Sequence, residues 1–495
     1  MQLSRRQLLF SSIAAASSQT LRAQAARRPN ILFAIADDWG WPHAGAYGCT
    51  WVKTPAFDRV AREGVLFTNC FTSNPKCSPC RASILTGRNT WQLDEATNHF
   101  GLFPAKWAVY PDLLEDAGYH VGYTGKGWGP GDYGSGGFKR NPAGKEYAKH
   151  TLDPPFRFMA NKDYAANFDY FLESRGEGQP FCFWFGTQEP HRAYEDGAGE
   201  HSGKDFKKVD VPAFFPDNET VRRDLADYSV EVEWCDTHLG RIIKKLEEIG
   251  ELDNTLVLVT SDHGMPFPRV KGQIYEYGFH LPLAVRWGGI EGGRTVDDFI
   301  NVRDFAPTFL ELARVDPPDS VTGTSFLDVL KSNESGQVDP SRNRMLIGKE
   351  RHDLGRPNNQ GYPVRAIRTP EFLYLHNYKP DRWPAGNPET GYRNCDASPT
   401  KSQILGSFNE YYRMAFGKRP ADELYRIQDD PECVNNLAAD PTYATVKRKL
   451  RIEMEERLRA EGDPRQMGLG DVYDSYEYVG RSTHSYENWL KYQRP

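Results

Sequence analysis

The chain has 495 residues, a formal net charge of −6, 39% hydrophobic and 26% charged residues. That length supports a large core and two domains, with the balance of an ordinary globular protein. No basic tract is present, which excludes nucleic acid as a partner class on charge grounds. The eight cysteines (Cys49, Cys70, Cys77, Cys80, Cys182, Cys235, Cys395 and Cys433) are too few for a disulfide scaffold.

Residues 1–25 read as a targeting segment. Ser4-Arg5-Arg6-Gln7-Leu8-Leu9-Phe10 has the pattern of a twin-arginine signal, and Ala23-Gln24-Ala25 offers a small-x-small cleavage site. The apolar stretch between them is too short for a membrane span. The expectation is a periplasmic or secreted protein with no membrane attachment once the leader is removed. An ordinary Sec leader is the alternative.

The first element after the leader is Ile31-Leu32-Phe33-Ala34-Ile35-Ala36, a continuous apolar run suited to a strand buried on both faces. Asp37-Asp38 follows it; alone, such a pair reads as a loop or helix cap. Next comes Cys77-Ser78-Pro79-Cys80-Arg81-Ala82-Ser83-Ile84-Leu85-Thr86-Gly87-Arg88. Proline suits the first helical turn and glycine the position just past the last, so the segment predicts a short helix with Cys77 at its mouth. Free N–H groups and the positive dipole end attract anions there, and Arg81 adds a planar fork of donors. A cysteine so placed points to attack on an anionic ester. Cys77-x-x-Cys80 also allows a redox pair or half a zinc site. However, the chain is far longer than a thioredoxin-like domain and offers no second ligand pair at such spacing.

His120-Val121-Gly122-Tyr123-Thr124 reads as a strand ending at Gly125-Lys126, and Phe181 to Phe185 as another, followed by Pro190-His191-Arg192. Periodicity and a glycine stop predict a long helix from about Val221 to Ile249. Leu256 to Val259 and Leu281 to Trp287 are further apolar runs; Asp262-His263 and Lys271 lie between them. The alternation predicts an α/β fold with a largely parallel sheet. Acid clusters meeting across the carboxyl edge of such a sheet make an oxygen-rich cage for a hard cation, calcium fitting best.

A loop near 335–347 separates a first domain (29–345) from a smaller α+β subdomain (346–463). In the second, Phe372 to Leu375 is a short strand, and Val446, Leu450, Met454 and Leu458 share one face of a helix. Residues 464–495 read as an extended tail.

The Cys77 segment resembles the signature of type I, formylglycine-dependent sulfatases: Cys-x-Pro-(Ser/Cys/Ala)-Arg followed by Leu-Thr-Gly-Arg. It matches at every fixed position. The resemblance implies an alkaline-phosphatase-like fold, with a large mixed, mostly parallel sheet flanked by helices. It implies that a formylglycine-generating enzyme oxidises Cys77 to Cα-formylglycine, whose hydrate is the nucleophile. It also implies that Asp37, Asp38, Asp262 and His263 hold calcium beside residue 77, with His263 where the family usually has asparagine. Lys126 matches the lysine of a Gly-Lys-x-His motif, His191 a histidine that contacts the sulfate or leaving oxygen, and Lys271 a lysine that binds the ester. Arg81 would help carry the sulfate charge. The motif's histidine is replaced by Trp128, for which the expectation is a place in the wall of a sugar pocket.

Within the family, Thr187-Gln188-Glu189-Pro190-His191-Arg192 and Ser261-Asp262-His263-Gly264-Met265-Pro266-Phe267-Pro268 resemble the heparan N-sulfatase (N-sulfoglucosamine sulfohydrolase) branch. The implied function is hydrolysis of sulfate from sulfated glycans, either O-sulfate esters or N-sulfoglucosamine. Specificity usually resides in loops and second domains. Glu350, Arg351, His352 and the Trp383 loop are therefore the candidates for binding the sugar, an ordinary charged and aromatic surface being the alternative. A phosphoester or phosphonate hydrolase of the same superfold, or an inactive sugar-binding relative, are the competing functions.

Overall fold

A computed structural model describes residues 27–481 and 485–493; the leader expected at 1–25 lies outside them. The strands β1 (Asn30–Ala36), β2 (Val65–Phe71), β3 (His120–Gly125), β4 (Lys145–Glu146), β5 (Phe181–Gly186), β6 (Thr255–Ser261), β7 (His280–Arg286), β8 (Arg294–Val296) and β9 (Ile300–Asn301) form one sheet. Its order is β4-β3-β5-β1-β6-β7-β2-β8, with β9 beside β2. Among the described residues only β7 runs against its neighbours. The fold is the alkaline-phosphatase-like α/β architecture expected.

The apolar runs are continuous because both faces of the sheet are covered. Leu32, Ala34 and Ala36 of β1 pack with the helix Glu219–Glu248, while Ile31, Phe33 and Ile35 pack on the opposite side with the helices Cys77–Thr86 and Phe305–Leu312. Side chains alternate across a strand, so a strand covered on both sides must be apolar at every position. Each large side chain buried this way contributes about 1.5–3 kcal/mol. The long helix starts where the Asn218 side chain accepts from the Val221 N–H at 3.1 Å, and Gly250 beyond its end has φ +68°.

A second sheet, β10 (Met345–Lys349), β11 (Val364–Arg368), β12 (Phe372–Asn377) and β13 (Asp422–Arg426), is antiparallel in chain order. One face sets Met345, Ile347, Ala366 and Leu375 against Phe71, Phe279 and Phe299 of the large domain. The other holds the helix Ala444–Ala460 through Leu450, Met454 and Leu458, with Val446 at the margin.

Beyond residue 463 the chain departs from the extended tail expected. Asp463 is buried and accepts from Arg365 at 2.8 and 2.9 Å, and Glu350 bridges Arg365 and Arg465 at 2.8 and 2.6 Å. Buried charges need partners: Asp463, at the end of the subdomain, supplies one to Arg365, and Arg465 of the tail supplies one to Glu350. Short helices follow at Val472–Ser475 and Tyr486–Gln493, and the Val479 N–H donates to the Phe100 carbonyl at 2.9 Å. Among the described residues no helix is long and apolar enough to cross a membrane.

Candidate active site

The polar residues singled out in the sequence meet at the carboxyl ends of the central strands. Asp37 and Asp38 leave β1, Lys126 leaves β3, His191 lies beyond β5, and Asp262 and His263 leave β6. Asp38 turns back at φ +76°. Cys77 opens the helix Cys77–Thr86, which ends where Gly87, at φ +66°, donates to the Ser83 carbonyl. A cavity of about 1030 Å³ stands over these ends, and Asp37, Cys77, Lys126, His191 and Lys271 all line it.

Asp37, Asp38, Cys77 and His263 each offer a ligand atom within 4.8 Å of the others, and all four are buried. His263 Nε2 lies 2.9 Å from Asp38 Oδ1 and 3.2 Å from Cys77 Sγ. Its Nδ1 faces the Gly264 carbonyl at 3.1 Å, which orients the ring with Nε2 turned inward, and against burial Asp262 and Asp38 around it raise its pKa well above the ordinary value. Asp262 is not part of that group of four. Its Oδ1 accepts the Asp38 N–H at 3.1 Å, and its Oδ2 accepts from Arg81 at 2.9 Å. Oδ1 also lies 3.7 Å from His263 Nε2, so Asp262 borders the same space.

Two lysines reach the carboxylates from the cavity side: Lys126 Nζ lies 2.5 Å from Asp37 Oδ2, and Lys271 Nζ 2.6 Å from Asp38 Oδ2. Burial opposes ionisation of both acids, yet Lys126 beside Asp37, and Lys271 and His263 beside Asp38, hold them well below the usual carboxylate range. The two cysteines of the motif differ sharply. Burial opposes a thiolate at Cys77, but Lys126 and His263 pull its thiol well below the ordinary value. Cys80 lies in the apolar cluster under the sheet, where burial and the Asp262 charge push its thiol well above it.

Arg81 sits deeper than a substrate-contacting residue. It is fully buried and does not line the cavity; it binds Asp262 and the carbonyls of Lys126 and Gly127 at 2.8 and 3.1 Å. It therefore fixes the turn that carries Lys126. His191 donates from Nδ1 to the Arg192 carbonyl at 2.6 Å, which leaves Nε2 as its free nitrogen.

The residues expected to bind the sugar do not line the cavity. Trp128 is 3% exposed; its ring packs against Phe103, and its Nε1 donates to the Ser78 carbonyl at 3.0 Å, which pins the first turn of the Cys77 helix. Gly129 and Pro130, just after it, face the cavity instead. Glu350 is engaged by Arg365 and Arg465, and Arg351 donates to the Glu477 carbonyl at 2.9 Å. His352 Nε2 is 2.7 Å from Asn74 Oδ1, while Trp383 packs against Tyr392 and its carbonyl accepts from Arg356. Strand β10 delivers residues 350–352 into the seam between the two sheets, and the chain emerges into the cavity one residue later, at Asp353.

Several lining residues carried no sequence signal. Lys76, His99, Asp353, Arg393, Asp396 and Tyr478 share the cavity with Cys77. Asp353 accepts from Lys76 at 2.9 Å and from His99 at 2.7 Å, and those two partners outweigh burial to hold its carboxyl well below the usual range. Lys271 reaches a second carboxylate, Asp396, at 3.0 Å. Adjacency to Cys77 was the one available pointer, and it pointed to Lys76.

The C-terminal N-sulphoglucosamine sulphohydrolase model matches residues 267–383. An ulvan-active sulfatase of Formosa agariphila is 29% identical over 88% of this chain and 81% of its own. The human N-sulphoglucosamine sulphohydrolase is 28% identical over 89% of this chain and 91% of its own. A structure solved with its substrate D-glucosamine-2-N,6-O-disulfate superposes with a TM-score of 0.66 at 21% identity, covering 88% of this chain and 99% of that one. The sulfatase model itself matches residues 29–315, more than half the chain and every strand end that meets at Cys77. With the Cys77 segment, the acid cluster and the two lysines in that span, the chain belongs to the sulfatase family and is a sulfuric ester hydrolase.

Proposed function

We propose that this enzyme removes sulfate from sulfated glycans, with residue 77 converted to Cα-formylglycine and a calcium ion held beside it. One observation carries the reading. Cys77, at a helix start on the floor of an open cavity, shares a buried space with Oδ1 of Asp37, which accepts no hydrogen bond, and with Oδ1 of Asp38, which faces His263 Nε2 at 2.9 Å. Buried carboxylate oxygens without donors are rare and costly. Together with the inward-facing Nε2 of His263, available as a ligand once deprotonated, these oxygens fit a hard divalent cation. Asp37, Asp38, Asp262, His263 and residue 77 would hold it.

Calcium supplies a Lewis acid at residue 77, and the hydrated formyl group an oxygen nucleophile that a thiol lacks. The chain's own groups do the rest. Lys126 and Lys271 present ammonium groups where negative charge builds on the sulfate oxygens. Arg81 keeps Asp262 and the Lys126 turn in register. His191, with Nδ1 tied to the backbone, offers Nε2 to carry a proton to the departing oxygen or nitrogen. The match to the N-sulphoglucosamine sulphohydrolase C-terminal model supports N-sulfoglucosamine as substrate, and the ulvan-active relative supports O-sulfated polysaccharide. The twin-arginine pattern supports export to the periplasm or beyond, after a formylglycine-generating enzyme has acted.

Intact mass and sulfate release test this together. Protein from its own host should be about 18 Da lighter than the cysteine form, the difference between the two side chains, and should release sulfate from N-sulfoglucosamine or O-sulfated saccharides. Full activity at the unmodified mass rules out the formylglycine step.

A further inference from the structure

A second polar device stands in the same cavity. His99 is 6% exposed and lines the cavity with Lys76, Cys77 and Asp353. Its backbone N–H donates to the Arg351 carbonyl at 3.2 Å, and its ring lies edge-on to Phe100 at 4.6 Å. Nδ1 donates to Asp353 Oδ1 at 2.7 Å, and Asp353 Oδ2 in turn receives Lys76 Nζ at 2.9 Å. Nε2 is buried and has no hydrogen-bond partner.

The arrangement is built at some cost. A buried imidazole nitrogen with no partner is unfavourable unless something outside the chain completes it. Asp353 accepts from Nδ1–H and fixes the ring's orientation, and in the singly protonated ring the lone pair is then at Nε2. The three residues come from three separate segments, and Lys76 immediately precedes Cys77, so the device is tied to the nucleophile's own helix start.

We propose that His99, oriented by Asp353, touches the substrate: its Nε2 accepts a hydrogen bond from a hydroxyl or amine of the sugar that bears the reacting sulfate, and so favours saccharides over simple aryl sulfates. This rests on the sulfated-glycan reading proposed above. A site built to bond a sugar hydroxyl leaves a buried group unpaired when the hydroxyl is missing, which is how such sites discriminate.

His99→Asn separates the two nitrogens. The Asn amide can replace Nδ1–H toward Asp353 but has nothing at the Nε2 position. The expected result is a rise in KM of about tenfold for the sulfated saccharide that the wild type hydrolyses best, one hydrogen bond's worth of affinity. Turnover of 4-nitrophenyl sulfate should stay within about twofold. His99→Gln, which can place a carbonyl oxygen near Nε2, should recover part of the saccharide KM. Calorimetry in the Cys77→Ser background should show the same loss of saccharide affinity for His99→Asn, whatever the aryl sulfate does. Unchanged saccharide affinity, or an equal loss on both substrates, overturns the proposal. A wild type that releases sulfate from none of the saccharides overturns the sulfated-glycan reading instead.

Discussion

The cavity has two walls of different origin. One is made by the ends of β1, β3, β5 and β6 with the Cys77 helix, and it holds Asp37, Cys77, Lys126 and His191. The other comes from loops around the small sheet and from the C-terminal segment, and it holds Asp353, Arg393, Asp396 and Tyr478. The first is bolted to a sheet covered on both faces, so each side chain is placed by an element that cannot shift without opening the core. The second is held by buried ion pairs and single backbone hydrogen bonds. Rigid placement suits the reacting atoms, which tolerate little misalignment. Loops suit recognition, which differs from one glycan to the next.

The difference can be broken at either wall. Cys77→Ala should cut sulfate release about 10³-fold or more on every substrate, whereas Cys80→Ser should keep most of it; the reverse ranking in a sulfate-release assay means the wrong cysteine has been assigned. Chelation should reduce activity to below about a tenth, and added calcium should restore it, because three carboxylates dominate the cage. Restoration by zinc alone points to a different metal site. Trp128→Ala should cost about 3–5 kcal/mol in denaturant unfolding, from the cavity left beside Phe103 and the lost bond to Ser78. It should lower kcat on saccharide and aryl sulfate alike. Normal stability with a higher saccharide KM would instead return Trp128 to the sugar pocket. Smallest of all, Tyr478→Ala should raise saccharide KM about threefold through lost ring contact and leave kcat and aryl sulfate turnover unchanged. A fall in kcat there would mean that the second wall serves the chemistry as well.

What the sequence made legible follows from local rules. The apolar runs gave β1, β5, β6 and β7 because a strand covered on both faces leaves a period-free signal that short loops interrupt. Periodicity and Gly250 marked the long helix, and Pro79 and Gly87 the short one carrying Cys77. Strand β2 leaves no such signal: Val65–Phe71 mixes polar Thr68 and Asn69 into its middle, where they bond to Asp297, just after β8. The small sheet's helix was visible from its spacing, but the folded tail was not, since nothing local says that Arg465 will meet a buried Glu350.

Residue types at the ends of strands, and a cysteine motif that is complete within twelve positions, were determined by the sequence itself. Only the tertiary structure decided which of those groups share a space and which face away. It turned Trp128 into the core, drew Arg81 beneath the site as a brace, and replaced residues 350–352 with Asp353 at the cavity. It also brought His99 and Tyr478, 379 positions apart in the chain, to one opening. Such contacts depend on how two sheets pack through Phe71, Phe279 and Phe299, and on which buried charges must find partners. Both are properties of the assembled chain, because desolvation and packing act only once distant segments have met.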